Sequence, residues 1–296
     1  METESLRAFV AVAECGSFSL AAEQIHLTQS AVSKRIATLE HQTDARLFDR
    51  IGRRIALTEA GHLLLPRARE ILGLFEDTQR ALTSLSGTVR GRLSLATSHH
   101  IGLHRLPPVL RRYTQRWPNV RLDMQFLDSE QAYQGVLDGS LELALATLAP
   151  HTAKPLVATP LWMDQLHFVC APDHPLTHQR SSLTLDALSQ VDAVLPGEQT
   201  FTRAMVMSAF NQAGLDVGVS MSTNYMETLK MMVSIGLGWS VLPETLLDES
   251  VHRLDIDHPP IERPLGYLFH ENRTLSNAAR AMIDLLEDSR QLPPGV

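Results

Sequence analysis

Two stretches of this 296-residue chain gather side chains able to do chemistry. The first runs from residue 28 to 54 and holds Thr28, Gln29, Ser30, Ser33, Lys34 and Arg35, then Arg46, Arg50, Arg53 and Arg54. Gln can hydrogen-bond an adenine edge, Lys or Arg a guanine edge or a phosphate, and Ser hydroxyls a base or a phosphate. The second is Thr97-Ser98-His99-His100, with His104 one helical turn beyond His100. Hydroxyls, imidazoles and the free N–H groups of a following helix suit an anion or a polar small molecule. His100 and His104 can share a helix face, but no cysteine stands nearby and local spacing supplies no carboxylate. No metal site is therefore expected. No catalytic residue is expected either: the chain has no G-x-S-x-G, P-loop or G-x-G-x-x-G, and Gly236-Leu237-Gly238 lacks the third glycine. An enzyme is set aside on that ground.

Composition narrows the class. Apolar residues are 44% and charged residues 20%, values that support a folded core. At 5%, aromatics are too few for a platform that binds single strands by stacking. No apolar run reaches membrane-span length, and the start carries Glu2, Glu4 and Glu14 rather than a basic, export-type leader. Cys15 and Cys170 cannot build a disulfide framework, so a reduced, cytoplasmic protein is expected. The net charge of -7 is uneven. Residues 1–92 hold 12 basic and 11 acidic residues, the remainder 14 and 22. A near-neutral end with a basic cluster on an acidic body fits a small phosphate-touching module joined to a larger one.

Hydrophobic spacing supplies the elements that position these groups. Leu6, Phe9, Val10 and Ala13 mark a first helix, which Gly16 ends. Ser17 caps a short second helix at 18–25, with Leu20, Ala21 and Ile25 inward. Thr28 caps a third from about Gln29 to His41, with Val32, Ile36 and Leu39 inward and Gln29, Ser30, Ser33, Lys34 and Ala37 on the opposite stripe. The segment 47–58 then reads strand, turn, strand. Three helices and a hairpin predict a winged helix-turn-helix, its motif at about 18–37 and Arg53 and Arg54 at the wing tip. A protein-interaction module with a polar face fits the same pattern.

A long helix follows from Thr58 to about Ser86, in which Leu65, Ala68, Leu72, Phe75, Gln79 and Leu82 predict self-pairing and Pro66 a kink. After residues 87–91, short strands and helices alternate to the end. They predict an α/β region with largely parallel sheets that binds ligand beyond the carboxyl ends of its strands.

Over residues 9–61 the chain resembles the LysR-type transcriptional regulators. The matching features are Phe9, Gly16-Ser17-Phe18, Ala21-Ala22, Leu27, Gln29, Ala31-Val32-Ser33, Ile36, Leu39-Glu40, Leu47-Phe48, Arg50, Leu57-Thr58 and Gly61. Looser matches at residues 106–123, 135–147, 169–176 and 232–247 carry the likeness along the chain. Ser30 stands where that family commonly has Pro and Lys34 where Arg is frequent, changes that bear on base preference rather than fold.

The resemblance implies a winged helix-turn-helix at 1–58, a linker and dimerisation helix at 59–87, and an effector-binding domain at 88–296. That domain is similar to two-lobed periplasmic solute-binding proteins. Its first lobe would hold residues 92–161 and 271–296 and its second 162–270, with crossings near Trp162–Phe168 and Leu268–His270. Partners implied are double-stranded promoter DNA, a small-molecule effector, a second copy in a dimer or dimer-of-dimers tetramer, and RNA polymerase. No cofactor is implied beyond the effector, a polar or anionic metabolite. Ser17, Thr28, Gln29, Ser30, Ser33, Lys34, Arg35, Arg50, Arg53 and Arg54 are the DNA-binding set. Thr97, Ser98, His99, His100, Asp128, Ser129, Thr147, Gln199, Thr200, Phe201 and Thr202 are the effector-binding set, with Asn224, Tyr225 and Trp239 as further lining.

Overall fold

The computed structural model describes residues 2–51, 54–85, 87–178 and 182–291. The chain divides into two compact units, one of residues 1–86 with 138–140 and the other of residues 87–137 and 141–296. Among the described residues, no helix is long and apolar enough to cross a membrane.

In the first unit α1 spans Thr3–Cys15 and stops at Gly16, whose φ of 59° is the left-handed conformation glycine adopts without strain. Helix α2 covers Phe18–Gln24, with Ser17 Oγ accepting from Leu20 N at 3.4 Å. Helix α3 covers Gln29–Thr43, with Thr28 Oγ1 accepting from Ala31 N at 3.2 Å. The antiparallel pair β1 (Phe48–Ile51) and β2 (Arg54–Leu57) forms the hairpin. Helix α4 then runs from Glu59 to Ser84 through Pro66 without a break, capped by Thr58. Gly61 is required there, because a Cβ would lie 2.3 Å from the Leu47 carbonyl oxygen.

Leu6, Phe9, Val12, Phe18, Ala21, Val32, Ile36, Leu39 and Leu47 fill one core. Leu20 was expected inside but is 55% exposed. At 100° per residue it lies nearly opposite Phe18, and Phe18, Ala21 and Ala22 take the buried stripe instead. The expected pairing stripe of α4 is also divided. Ala68 is buried and Leu65 and Leu72 pack against the helical core, while Ile71, Leu74, Phe75, Leu82 and Leu85 stay exposed.

The second unit contains, in order, β3 (Gly91–Thr97), α5 (His99–His104), α6 (Leu106–Arg116), β4 (Val120–Phe126), α7 (Ser129–Asp138), β5 (Leu143–Thr147) and β6 (Leu156–Cys170). It continues with α8 (Leu185–Ser189), β7 (Ala193–Leu195), α9 (Phe201–Gln212), β8 (Val219–Ser222), α10 (Met226–Ser234), β9 (Ser240–Pro243), β10 (His252–Arg253), β11 (Ile261–His270) and α11 (Asn277–Asp288). The main sheet has the order β10-β6-β11-β5-β3-β4, with β9 also on β6. The sheets were expected to be largely parallel, but among the named strands of the described residues only β4-β3-β5 and the separate pair β7-β8 are. Strands β6 and β11 run antiparallel along all of β11, because one carries the chain out of the first lobe and the other brings it back.

Those two strands serve both cores. Leu161 of β6 and Leu265 and Tyr267 of β11 pack with Leu93, Leu95, Leu106, Tyr113, Met282 and Leu285. Further along, Leu166, Phe168 and Cys170 of β6 and Ile261 of β11 pack with Leu188, Val206, Phe210, Trp239 and Val241. Along β11 the packing passes from the second core at Ile261 to the first at Leu265 and Tyr267. Alternation along β11 already places Leu265 and Tyr267 in the first core.

Candidate functional site

Helix α3 presents the first candidate surface. With Val32, Ile36 and Leu39 buried, Gln29, Ser30, Lys34 and Ala37 are exposed and Ser33 is half-buried. The Thr28 and Ser30 hydroxyls lie 3.1 Å apart. Ser17 and Thr28 hold their caps through oxygen, which leaves each O–H able to donate. Arg35 behaves differently: its Nη1 reaches back to Glu4 on α1 at 2.8 Å. Glu40 Oε1 accepts from Leu47 N at 2.7 Å, so the end of α3 fixes the start of the hairpin. Arg50 and Arg54 belong to the two hairpin strands, but their side chains and the whole of Arg53 lie outside the described residues.

The second candidate site gathers at the carboxyl ends of β3, β4 and β5 in the second unit. Thr97 is fully buried, its Oγ1 donating to the Ser98 carbonyl at 3.2 Å, and Ser98 precedes α5 without making a side-chain cap. Ser129 Oγ accepts from Thr147 N at 3.0 Å, so these two build the wall together.

Several contacts cross from this edge to the second lobe. Asn224 Nδ2 donates to Asp128 Oδ2 at 2.6 Å, and Phe201 N donates to Glu130 Oε1 at 2.7 Å. The His99 ring sits against Tyr225 at 4.5 Å between centroids, and Tyr133 against Phe201 at 5.3 Å. Thr200 caps α9, Thr202 is buried and Gln199 is exposed. The fold thus brings Asp128, His99, Phe201, Asn224 and Tyr225 to one edge. Glu130 and Tyr133 were not anticipated, since they meet Phe201 only through the fold.

Two expected lining residues face elsewhere. Trp239 is fully buried in the second core, its Nε1 donating to the carbonyls of Leu188 and Val191, both at 2.9 Å. His100 is 5% exposed and turns to Asp164, with 3.3 Å from Nε2 to Oδ2. Asp164 also accepts from Arg105 at 2.8 Å and from Arg263 at 2.6 Å. Burial alone would raise the Asp164 carboxyl, but the His100 ring and the Arg263 guanidinium outweigh it and hold it well below the usual carboxylate range. Burial lowers the proton affinity of His100 below that of an ordinary histidine, more than contact with Asp164 raises it.

Residues 3–62 match the family of bacterial regulatory helix-turn-helix proteins of the lysR type, and residues 86–291 match the LysR substrate binding domain. A probable RuBisCO transcriptional regulator of Trichormus variabilis is 31% identical over 288 residues, 94% of this chain and 85% of the relative. An uncharacterized HTH-type transcriptional regulator of Azotobacter vinelandii, from an ibpB-leuC intergenic region, is 68% identical over 108 residues, 36% of this chain and 75% of the relative. The crystal structure of full-length CbnR complexed with its target DNA superposes with a TM-score of 0.65 at 21% identity, over 98% of this chain and 100% of that one.

Proposed function

Because the chain belongs to the LysR family of transcriptional regulators, we propose that α3 reads promoter DNA while a small polar or anionic effector between the two lobes of the second unit sets that binding. The observation that carries the effector part is the pair of cross-cleft hydrogen bonds, Asn224 to Asp128 and Phe201 N to Glu130. Each couples a polar group at the cleft to the relative position of the lobes. An effector that replaces either partner binds one lobe arrangement better than the other, which is the requirement for a ligand to shift an equilibrium. Glu130 now accepts from the first backbone N–H of α9, a position where an anionic effector would be favoured.

In this reading Gln29, Ser30, Ser33 and Lys34 contact base edges or phosphates in a major groove. Ser17 and Thr28 hold the ends of the helices against the backbone, and the arginines of the hairpin reach adjacent phosphates. Two copies pair through the exposed seam of α4, where Ile71, Phe75, Thr78, Leu82 and Leu85 follow one another at alternating four- and three-residue steps. Such a dimer presents two recognition helices to two half-sites, and pairing of dimers would complete a tetramer in the cytoplasm.

A thermal-shift panel on the purified full-length protein tests the effector reading, using inorganic anions, aliphatic and aromatic carboxylates and amino acids. A ligand at about 100 times its Kd adds roughly 2.7 kcal/mol. A hit whose shift disappears in Ser98→Ala and that changes affinity for the protein's own upstream DNA supports the reading. A hit indifferent to both overturns it.

A further inference from the structure

Beside the cleft, the fold assembles a group of ligating side chains that local sequence spacing did not reveal. His100 and His104 stand one turn apart on α5, their rings 4.9 Å between centroids. Glu227, in the first turn of α10, comes from the other lobe and places Oε1 2.9 Å from His104 Nε2. One ligand atom from each of the three residues lies within 4.8 Å of the other two. We propose that His100, His104 and Glu227 bind one late first-row divalent cation of the Zn2+ type, which ties the two lobes together.

Three further observations support the site. His100 is buried with Nε2 turned to Asp164, while its Nδ1 has no hydrogen-bond partner among the described residues, a condition native interiors rarely tolerate and a coordinate bond would relieve. Asp164 stands behind the same ring at 3.3 Å and is itself held by Arg105 and Arg263, the arrangement of a carboxylate that orients a ligating histidine. His104 also lines a cavity of about 600 Å³, shared with Arg105, Met163, Asp164, Gln165, Glu244 and Thr245, so this ligand is open to solvent.

Two imidazoles and one carboxylate select Zn2+, Co2+, Ni2+ or Cu2+ over Mg2+ and Ca2+. The guanidiniums of Arg105 and Arg263 oppose a cation, and the carboxylates of Asp164 and Glu227 offset them. Zn–N bonds of about 2.0–2.1 Å put ligand atoms roughly 3.3 Å apart, close to the 2.9 Å that already separates His104 Nε2 from Glu227 Oε1 across the lobes. With ligands on both lobes, the ion would act as a second effector that favours closure. That consequence rests on the cleft reading given above, whereas the site itself does not.

The test is a titration of tag-free, chelator-treated full-length protein with Zn2+, without DNA or effector, followed by calorimetry. Co2+ absorption serves as a second readout of the ligand geometry. One ion per protomer is expected. His104→Gln and Glu227→Gln, at half-buried positions, are each expected to weaken binding by about tenfold or more. His62→Gln, an exposed histidine on α4, is expected to leave it unchanged. Binding that is absent below millimolar Zn2+, or unaltered in both variants, overturns the site. Tight, variant-sensitive binding with no change in DNA affinity keeps the metal site and rejects only the regulatory role drawn from the cleft.

Discussion

Asp164 and Arg263 stand directly opposite one another on β6 and β11, joined by a 2.6 Å hydrogen bond at the point where the chain passes between lobes. Arg105 completes the group from the loop between α5 and α6. Both Asp164 and Arg263 are almost fully buried, so removing the carboxylate leaves two guanidiniums without a counter-charge. Asp164→Asn is expected to cost about 3 kcal/mol, measured by urea unfolding at pH 7.

Stability should also fall with acid in two stages. Folding depresses the proton affinity of His100, so the unfolded chain takes up that proton first, and stability declines as pH drops through about 6.5. The Asp164 carboxyl is likewise depressed, and its contribution, complete above about pH 4, is lost as pH falls further. Melting curves between pH 8 and pH 3 check both. Asp164→Asn should flatten the lower stage, and an unchanged profile would refute the assignment.

On DNA, Lys34→Ala should weaken binding to all sequences and reduce the salt slope by about 1. Gln29→Ala should instead relax discrimination at particular base pairs by about 1–3 kcal/mol. Arg35→Ala should do less than Lys34→Ala, because Glu4 already holds that guanidinium. A fluorescence-anisotropy salt series separates the three.

The α4 seam predicts assembly. Leu82 is 64% exposed and Phe75 41%. A Leu82→Glu, Phe75→Glu double variant should lower the solution mass by light scattering and weaken two-half-site DNA more than a single half-site. Loss of helix content in the same variant would instead point to damage within the monomer.

The Glu130 contact predicts a gain. Glu130→Ala frees the first N–H of α9, so an anionic ligand found by thermal shift should bind this variant more tightly. Equal or weaker binding would place the ligand away from α9.

Sequence reading was most successful where the physics is local. Helix caps at Ser17 and Thr28 are short-range contacts between neighbours in the chain, and the Val32, Ile36 and Leu39 stripe follows from helical period alone. Leu20 went astray because an eight-residue stretch holds barely two turns, too few to fix the phase of the buried face. Trp239 followed a different cause: a large aromatic with a polar edge suits a cleft or a core equally, and its partners Leu188 and Val191 lie some fifty residues away. The cluster at Asp164 joins four segments, and Glu227 meets His104 across 123 positions. No periodicity encodes such meetings, because they exist only once β6 and β11 have crossed.

The length of β6 has a consequence for how the second unit comes apart. Its fifteen residues supply side chains to two cores, and β11 runs beside it through both. Melting either lobe would strip a strand from the other, so the two should share one cooperative transition despite their separate interiors. Neither lobe, expressed alone, would keep a complete sheet. The motion left to the lobes is therefore a bending of a two-stranded ribbon with its hydrogen bonds intact.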